Sequence, residues 1–243
     1  MEFKENEIYN VDCYKAIKDI SDKSIDCIYT DIPYLYNQGG GGSSALGERT
    51  NKKRLELKSI ENGIDFDILN DFVRVIKKIN IFIWCSKLQI FDIMKYFLET
   101  LKDREIYFEI LTWNKSNPTP TTNNSWLPDI EYCLYFREKG VIYNDGYELK
   151  SKWFESSANK RDKDRFEHPT IKPLELVQRH LLHTTQPNDL VLDCFMGSGT
   201  TAVACKNTGR KYIGFEISEK WYKVAKDRLN NITATGQQSF FTM

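Results

Sequence analysis

A glycine-rich turn near the C-terminus, in the segment 189–202, sets narrow limits on how this chain can fold. The segment reads DLVLDCFMGSGTTA, an apolar run that ends in an aspartate and leads directly into the turn. This order predicts a strand, a tight loop and a helix N-terminus in series. Because glycine has no side chain, backbone N–H groups in such a loop can approach a ligand closely. The G-x-G-x-x-A pattern fits several nucleotide-binding families, so it does not identify the ligand by itself.

Segments with strand spacing and helix spacing alternate along the 243 residues. We predict strands at 7–12, 25–30, 81–84, 106–113, 130–136, 189–193 and 211–215, and helices at 13–20, 66–79, 88–101, 173–183, 200–209 and 218–231. This alternation is typical of a single α/β domain, here over 1–243, with a doubly wound, mostly parallel sheet covered on both faces. The segment 37–63 contains four consecutive glycines and is predicted to be a flexible loop. The polar segment 140–167 shows no strand or helix periodicity.

The position of the glycine-rich turn restricts the fold further. Only residues 203–243 follow it, enough for one strand and two helices. A dinucleotide-binding dehydrogenase needs a second half with three more strands at this point. A P-loop is excluded because no Gly-Lys-Ser/Thr closes the turn. The rest of the sheet must come from the N-terminal side, which is the permuted arrangement of certain methyltransferases.

Three motifs, in this order along the chain, resemble those of the beta-ordered DNA amino-methyltransferases. Asp31-Ile32-Pro33-Tyr34, at the end of a predicted strand, resembles their D-P-P-Y motif. The segment 168–173, HPTIKP, is similar to their H-P-T-x-K-P segment, and the turn that follows 189–193 is similar to their cofactor loop. The resemblance implies a circularly permuted, Rossmann-like methyltransferase sheet with small insertions for target recognition.

The same resemblance implies transfer of a methyl group from S-adenosylmethionine to an amino group of a base flipped out of DNA. The Asp31 side chain and the Ile32 carbonyl would accept hydrogen bonds from that amino group. Pro33 would stiffen the turn, and Tyr34 would stack on the base. Aspartate at the first position favours N6 of adenine, with N4 of cytosine as the alternative. Since Ile32 replaces the proline usual in the family, a catalytically weakened subunit that binds DNA and cofactor also stays open.

The cofactor-binding positions that the resemblance implies lie on several separate segments. They are Asp12, Thr170, Lys172, Asp193, Phe195, Gly197, Ser198, Gly199, Thr200 and Glu216. The glycine-rich turn would face the methionine end of the cofactor, and Glu216 would hold the ribose hydroxyls. Thr170 and Lys172 would contact the cofactor carboxylate, Asp12 would lie near its adenine, and Phe195 would form an aromatic wall.

Basic residues cluster in two segments without predicted helix or strand. The net charge is zero, with 34 Lys plus Arg and 34 Asp plus Glu, so any DNA contact depends on such local clusters. The first cluster lies in 37–63, and the second lies in 140–167, where the family carries target recognition. The predicted DNA-binding residues are Lys52, Lys53, Arg54, Lys160, Arg161 and Arg165. We expect most of their contacts to be with phosphates.

The remaining composition indicates a cytoplasmic protein with no membrane partner. The N-terminus has no signal-peptide pattern, and no run of about 20 apolar residues is present. The six cysteines form no C-x-x-C pair, so we expect reduced, buried thiols. No acid or cysteine completes a metal site around the three histidines, and no metal is expected. The resemblance leaves a homodimer open, and a cognate restriction enzyme is a candidate partner.

Overall fold

The structure is a computed structural model that describes residues 2–35, 63–118, 120, 126–141, 146–157 and 171–235. In these ranges the strands are β1 (Glu7–Tyr9), β2 (Cys27–Asp31), β3 (Asn80–Cys85), β4 (Ile106–Lys115), β5 (Ile130–Glu138), β6 (Trp153–Ser156), β7 (Leu190–Asp193) and β8 (Lys211–Phe215). The helices are α1 (Cys13–Ala16), α2 (Ile68–Val75), α3 (Ile90–Thr100), α4 (Leu174–Thr184), α5 (Thr200–Thr208) and α6 (Glu219–Thr235), with 3-10 turns at Ile17–Asp19 and Tyr147–Lys150.

The strands of the described residues form one sheet in the order β1-β8-β7-β2-β3-β5-β4-β6. β5 is antiparallel to both β3 and β4, and the other neighbours are parallel. The predicted doubly wound, mostly parallel and permuted sheet is therefore confirmed. β2, from early in the chain, pairs with β7, from late in the chain, through Cys27 with Val191 and Ile28 with Leu192. This pairing places the carboxyl ends of two distant strands side by side.

The core has two layers because the central strands are buried on both faces. All six residues of β3 are buried, and successive side chains point to opposite faces. Ile81 and Ile83 pack in the cluster that contains Phe72 of α2 and Phe97 of α3. Phe82 and Trp84 pack in the other cluster, with side chains from α4, α5 and α6. No helix in the described ranges is long and apolar enough to cross a membrane.

The segment 140–167 contains regular structure that its sequence does not predict. The 3-10 turn Tyr147–Lys150 and β6 both lie within it. β6 forms the edge of the sheet and pairs in parallel with β4, where Thr112 faces Trp153. The burial along β6 alternates between exposed and half-buried, so this edge strand has no apolar run to mark it. β4 also continues two residues beyond the predicted end, to Lys115, and this extension adds a charge to the site described next. The flexible loop predicted at 37–63 lies outside the described residues except for Gly63.

Candidate active site

A cavity of about 640 Å³ opens at the carboxyl ends of the central parallel strands. In open α/β sheets this edge is where ligands bind. The residues predicted from the sequence that line the cavity are Asp12, Asp31, Ile32, Pro33, Tyr34, Lys172, Asp193, Phe195, Gly197, Ser198, Thr200 and Glu216. Gly199 lies in the same turn, immediately before α5. The turn Asp31–Tyr34 and the glycine-rich turn after β7 are distant in sequence and line the same cavity.

Some predicted residues fall outside the described parts of the chain. They are Thr170 and the six basic positions Lys52, Lys53, Arg54, Lys160, Arg161 and Arg165. Their roles stay predictions.

The turn that follows β2 is held by backbone and side-chain hydrogen bonds. The Ile32 N–H donates to the Trp84 carbonyl over 3.1 Å, and the Ile32 side chain is buried in the core. Gln89, before α3, donates from Nε2 to the Pro33 carbonyl over 2.9 Å, and its Oε1 accepts from the Ser86 N–H over 3.0 Å. The isoleucine side chain is therefore accommodated in the core, and the Ile32 N–H, which proline would lack, helps to hold the turn. The sequence does not point to Gln89, because its contacts depend on α3 lying beside β2.

Four charged side chains of alternating sign form a row that begins at the cavity with Asp31 and Lys172. Lys172 Nζ lies 2.5 Å from Asp31 Oδ2 and 2.9 Å from Glu131 Oε2, and it donates to the Tyr34 hydroxyl over 3.2 Å. Glu131 Oε1 in turn lies 2.7 Å from Lys115 Nζ. The Lys172 side chain is only 6% exposed. Lys172 was predicted to contact the cofactor carboxylate, whereas here its ammonium binds the two carboxylates.

The pKa values in this group reflect burial opposed by charge pairing. Burial raises the pKa of Asp31, Lys172 offsets this only in part, and the Glu131 carboxylate raises it further. Burial also acts on Glu131, but Lys172 and Lys115 together lower the pKa of Glu131 to about 2. Burial opposes the charge of Lys172, yet the two carboxylates raise the pKa of its ammonium above the ordinary value. Asp31 Oδ1 is enclosed and has no hydrogen-bond partner among the described residues.

The glycine-rich turn is held by hydrogen bonds with two buried side chains, Asp193 at the end of β7 and Arg228 on α6. The buried Asp193 accepts hydrogen bonds at Oδ1 from the Thr30 hydroxyl and the Phe195 N–H, both over 3.0 Å. Burial raises the pKa of Asp193 to about 7, and these hydrogen bonds counter only part of the shift. From α6, Arg228 Nη1 donates to Thr200 Oγ1 over 2.9 Å and to the Ser198 carbonyl over 3.3 Å. Arg228 is a contact that the sequence does not indicate.

Gly199 is the position in the turn where a side chain does not fit. Its φ of 82° lies in the left-handed region, and a Cβ there would lie 3.0 Å from the Cβ of Ala225 on α6. Glycine thus permits both the conformation of the turn and its close packing against α6.

Acidic and aromatic side chains border the other end of the cavity. Glu216 follows β8, and its carboxylate accepts from the Gly197 N–H over 2.7 Å and from the Ser218 N–H over 2.8 Å. Burial raises the pKa of Glu216, against the opposing effect of these N–H donors. Asp12 precedes α1 and accepts from the Tyr14 N–H over 2.9 Å. The Phe195 and Tyr14 rings meet edge to face, 6.4 Å apart between centroids.

Two of the six cysteines, Cys13 and Cys194, line the cavity, whereas His180 and His183 do not. All six cysteines are buried and free, as expected. His180 is buried behind the site, with Nδ1 3.1 Å from the Tyr29 hydroxyl, and His168 lies outside the described residues. Within the described ranges, no group of three or more His, Cys, Asp or Glu side chains is placed to hold a metal ion.

Comparison with known proteins agrees with this geometry. Residues 25–227 match the family model N6_N4_Mtase, described as DNA methylase. The type II methyltransferase M2.LlaDCHI of Lactococcus lactis subsp. cremoris is 31% identical, with 93% of this chain and 90% of that protein covered. M2.MboI of Moraxella bovis, also a type II methyltransferase, is 30% identical, with 98% and 92% covered.

Solved structures show the same architecture. A crystal structure of the M1.HpyAVI-SAM complex is 27% identical, with a TM-score of 0.65 and 91% of this chain and 98% of that chain covered. PvuII DNA methyltransferase, which is cytosine-N4-specific, has a TM-score of 0.67 at 15% identity, covers 94% and 90% of the two chains, and shares the fold. The resemblance inferred from three short motifs is confirmed, and this chain belongs to the N6/N4 DNA methylase family.

Proposed function

We propose that this protein transfers the methyl group of S-adenosylmethionine to N6 of adenine in DNA. One observation carries the proposal: the acidic turn after β2 and the glycine-rich turn after β7 line one cavity from adjacent strands. The first turn supplies hydrogen-bond acceptors for an amino group. The second supplies a surface that a cofactor can approach closely. Methyl transfer to an amino group needs the acceptors for the amino group and the surface for the cofactor in the same cavity.

The residues at the second turn fit S-adenosylmethionine. Gly199 allows the turn to stay narrow. The Glu216 carboxylate has lone pairs beyond those used by its two N–H donors, so it can also accept from ribose hydroxyls. Asp12 and Phe195 border the same space and are assigned to the adenine end. Thr170 is assigned to the cofactor carboxylate, as the family resemblance implies.

The first turn would prepare the amino nitrogen for attack. The lone pair of an exocyclic amino group is delocalised into the ring, and acceptors placed on both N–H bonds favour a nitrogen with a free lone pair. The Asp31 carboxylate and the Ile32 carbonyl are assigned this role, with Tyr34 stacked on the base. S-adenosylmethionine supplies a methyl group activated by its positive sulfur. In this scheme the nitrogen lone pair would form the N–C bond as the C–S electrons stay on sulfur, and the proton that the nitrogen loses would pass to the Asp31 carboxylate.

The catalysis in this scheme is positioning and electrostatic stabilisation, without a covalent intermediate on the protein. The raised pKa of Asp31 suits a carboxylate that takes up the proton from nitrogen. Adenine is the proposed base because the motif begins with aspartate. We favour an active enzyme over a weakened subunit because the Ile32 side chain packs in the core and its N–H is bonded to Trp84.

Incubation of the protein with mixed-sequence DNA and S-adenosylmethionine labelled in the methyl group tests this proposal. After digestion to nucleosides, mass spectrometry should find N6-methyldeoxyadenosine. N4-methyldeoxycytidine would overturn the choice of base. Tight DNA binding with no label in any nucleoside would instead support the weakened subunit.

Asp31→Ala tests the residue assignment. It should lower the methyl-transfer rate by about 10²-fold or more, the usual effect of losing one preorganised polar group at a reacting centre. Cofactor affinity, measured by calorimetry, should be unchanged because the proposed cofactor contacts lie on other strands. Asp22→Ala is the matched control, since Asp22 is 72% exposed and pairs with Arg74 on the surface. Wild-type activity in Asp31→Ala would remove Asp31 from the mechanism.

DNA contact and cellular setting complete the proposal. The basic residues near 52–54 and 160–165 are assigned to phosphates, and the segment 140–167 is assigned to target recognition. We place the protein in the cytoplasm, where a cognate restriction enzyme would be its functional partner, as the type II designation of its relatives suggests. Protection of host DNA from cleavage would test the pairing. Light scattering would distinguish a monomer from a homodimer.

A further inference from the structure

The alternating chain of Lys115, Glu131, Lys172 and Asp31 contains an asymmetry that bears on the reaction. Glu131 has two lysine partners, one at each oxygen. Asp31 has one cationic partner among the described residues, Lys172 at Oδ2. Glu131 is therefore well stabilised as a carboxylate, whereas the charge of Asp31 depends on a single ammonium.

Removing that ammonium would leave two like charges near one another, on the Asp31 and Glu131 side chains, which are only 27% and 14% exposed. Two buried carboxylates without a cation between them disfavour double ionisation, and one of them takes up a proton. Because Lys115 still holds Glu131, the proton would go to Asp31. A protonated Asp31 is a poorer acceptor for an amino group, and it cannot take the proton that nitrogen loses.

We propose that Lys172 is a positioning residue for methyl transfer: anchored by Glu131, its ammonium keeps Asp31 ionised and holds the Asp31 carboxylate in place at the cavity. This inference rests on the proposed function and differs from the cofactor contact that the family resemblance implied for Lys172. Two further observations fit it. The ammonium also donates to the Tyr34 hydroxyl, and Asp31 Oδ1 lacks a partner among the described residues.

Other titratable groups surround Asp31, and those that titrate near neutral pH contribute to a pH profile. Those that interact with it or with Lys172 are Tyr34 in the same turn, Tyr29 on β2, Cys85 on β3, Cys133 on β5 and Asp193 at the end of β7. Tyr29, Cys85 and Cys133 have pKa values raised by burial and stay neutral near pH 7. Asp193 is the neighbour that can titrate close to Asp31, so Asp193→Asn should be included in the measurements.

The main test is the pH dependence of single-turnover methyl transfer by Lys172→Met. At pH 7 the rate should fall by about 10²-fold or more. Loss of the ammonium should raise the pKa of Asp31. The acid limb of the profile, which is the fall in rate as Asp31 is protonated at low pH, should therefore move to higher pH. Activity should partly return as the pH is raised. The dissociation constant for S-adenosylmethionine should stay within about threefold of wild type, well short of the roughly tenfold change that 1.4 kcal/mol would give.

Glu131→Gln tests the same reasoning, because it should shift the acid limb of the pH profile in the opposite direction. It removes a like charge from beside Asp31, so the acid limb should move to lower pH. The double variant Lys172→Met with Glu131→Gln should recover at least about tenfold of the rate lost in Lys172→Met, since the like charge beside Asp31 has gone. If Lys172→Met does not fold, the shift in Glu131→Gln decides the question alone. Lys226→Met, which removes a surface partner of Glu7, is the control.

Three results would overturn the proposal. The first is a profile for Lys172→Met that keeps the wild-type acid limb. The second is an unchanged profile with cofactor affinity weakened by about tenfold or more, which would return Lys172 to the cofactor carboxylate. The third is a wild-type protein that transfers no methyl group, which would remove the proposed function as well. The first two leave the proposed function intact, so the two failures are distinguishable.

Discussion

Replacing Gly199 by alanine should destabilise the protein through two separable effects. Its φ of 82° costs an L-residue about 1–2 kcal/mol. A Cβ would also lie 3.0 Å from the Cβ and 3.2 Å from the Cα of Ala225, closer than the roughly 3.5–4.0 Å optimum for carbon atoms. Overpacking of this kind costs about 1–3 kcal/mol. The free energy of unfolding should therefore fall by about 2–5 kcal/mol.

Gly209 provides a matched control at the other end of α5. Its φ is 72°, and a Cβ there would meet nothing within 4 Å. Gly209→Ala should therefore show only the backbone cost of about 1–2 kcal/mol. The loss of unfolded-chain entropy that alanine brings is the same in both variants and cancels in the comparison.

Urea unfolding of the two variants, with the m-value checked for two-state behaviour, measures the difference. Gly199→Ala should lose about 1–3 kcal/mol more than Gly209→Ala, and only Gly199→Ala should weaken S-adenosylmethionine binding. Ala225→Gly in the Gly199→Ala background should restore part of the difference. Equal losses in the two variants would refute the argument that contact with α6 requires glycine.

Two further substitutions test the supports of the site. Gln89→Leu should lower the free energy of unfolding by about 1–3 kcal/mol, because the Pro33 carbonyl and the Ser86 N–H lose their partner. It should also slow methyl transfer without changing cofactor affinity. An unchanged transfer rate would show that the turn does not need the hydrogen bonds of Gln89. Asp193→Asn should change the pH dependence of stability. The pKa of the Asp193 carboxyl is about 7 in the folded protein and has its ordinary value of 3.8 in the unfolded chain. Wild-type stability relative to Asp193→Asn should fall as pH rises from about 4 to about 7, by at most about 1.4 kcal/mol per unit, and parallel curves from urea unfolding would contradict the assignment.

Local patterns allowed most of the sheet to be predicted. The central strands are continuous apolar runs because helices cover both their faces, and the helices carry apolar residues at regular spacing. β6 shows where this fails. An edge strand with one neighbour gains its stability from pairing with β4, and its residues need not be apolar.

The residues that act on Asp31 illustrate a second limit. The turn from Asp31 to Tyr34 is contiguous, so its motif can be read directly from the sequence. Glu131 and Lys115 come to the site only because β5 runs antiparallel beside both β3 and β4. Gln89 reaches the Pro33 carbonyl because α3 begins beside the end of β2. Such partners are distant in sequence and carry no local signal.

The sequence by itself determined the order of most elements, though not β6, as well as the two turns and, through their resemblance to a family, the kind of chemistry. It could do so because a turn that presents backbone groups to a ligand needs particular residues at adjacent positions. Only the tertiary structure decided that Lys172 lies between Asp31 and Glu131. The physical reason is that the state of a buried charge depends on every charge within a few ångströms. Here the four charges come from four separate parts of the chain: β2, β4, β5 and the segment before α4.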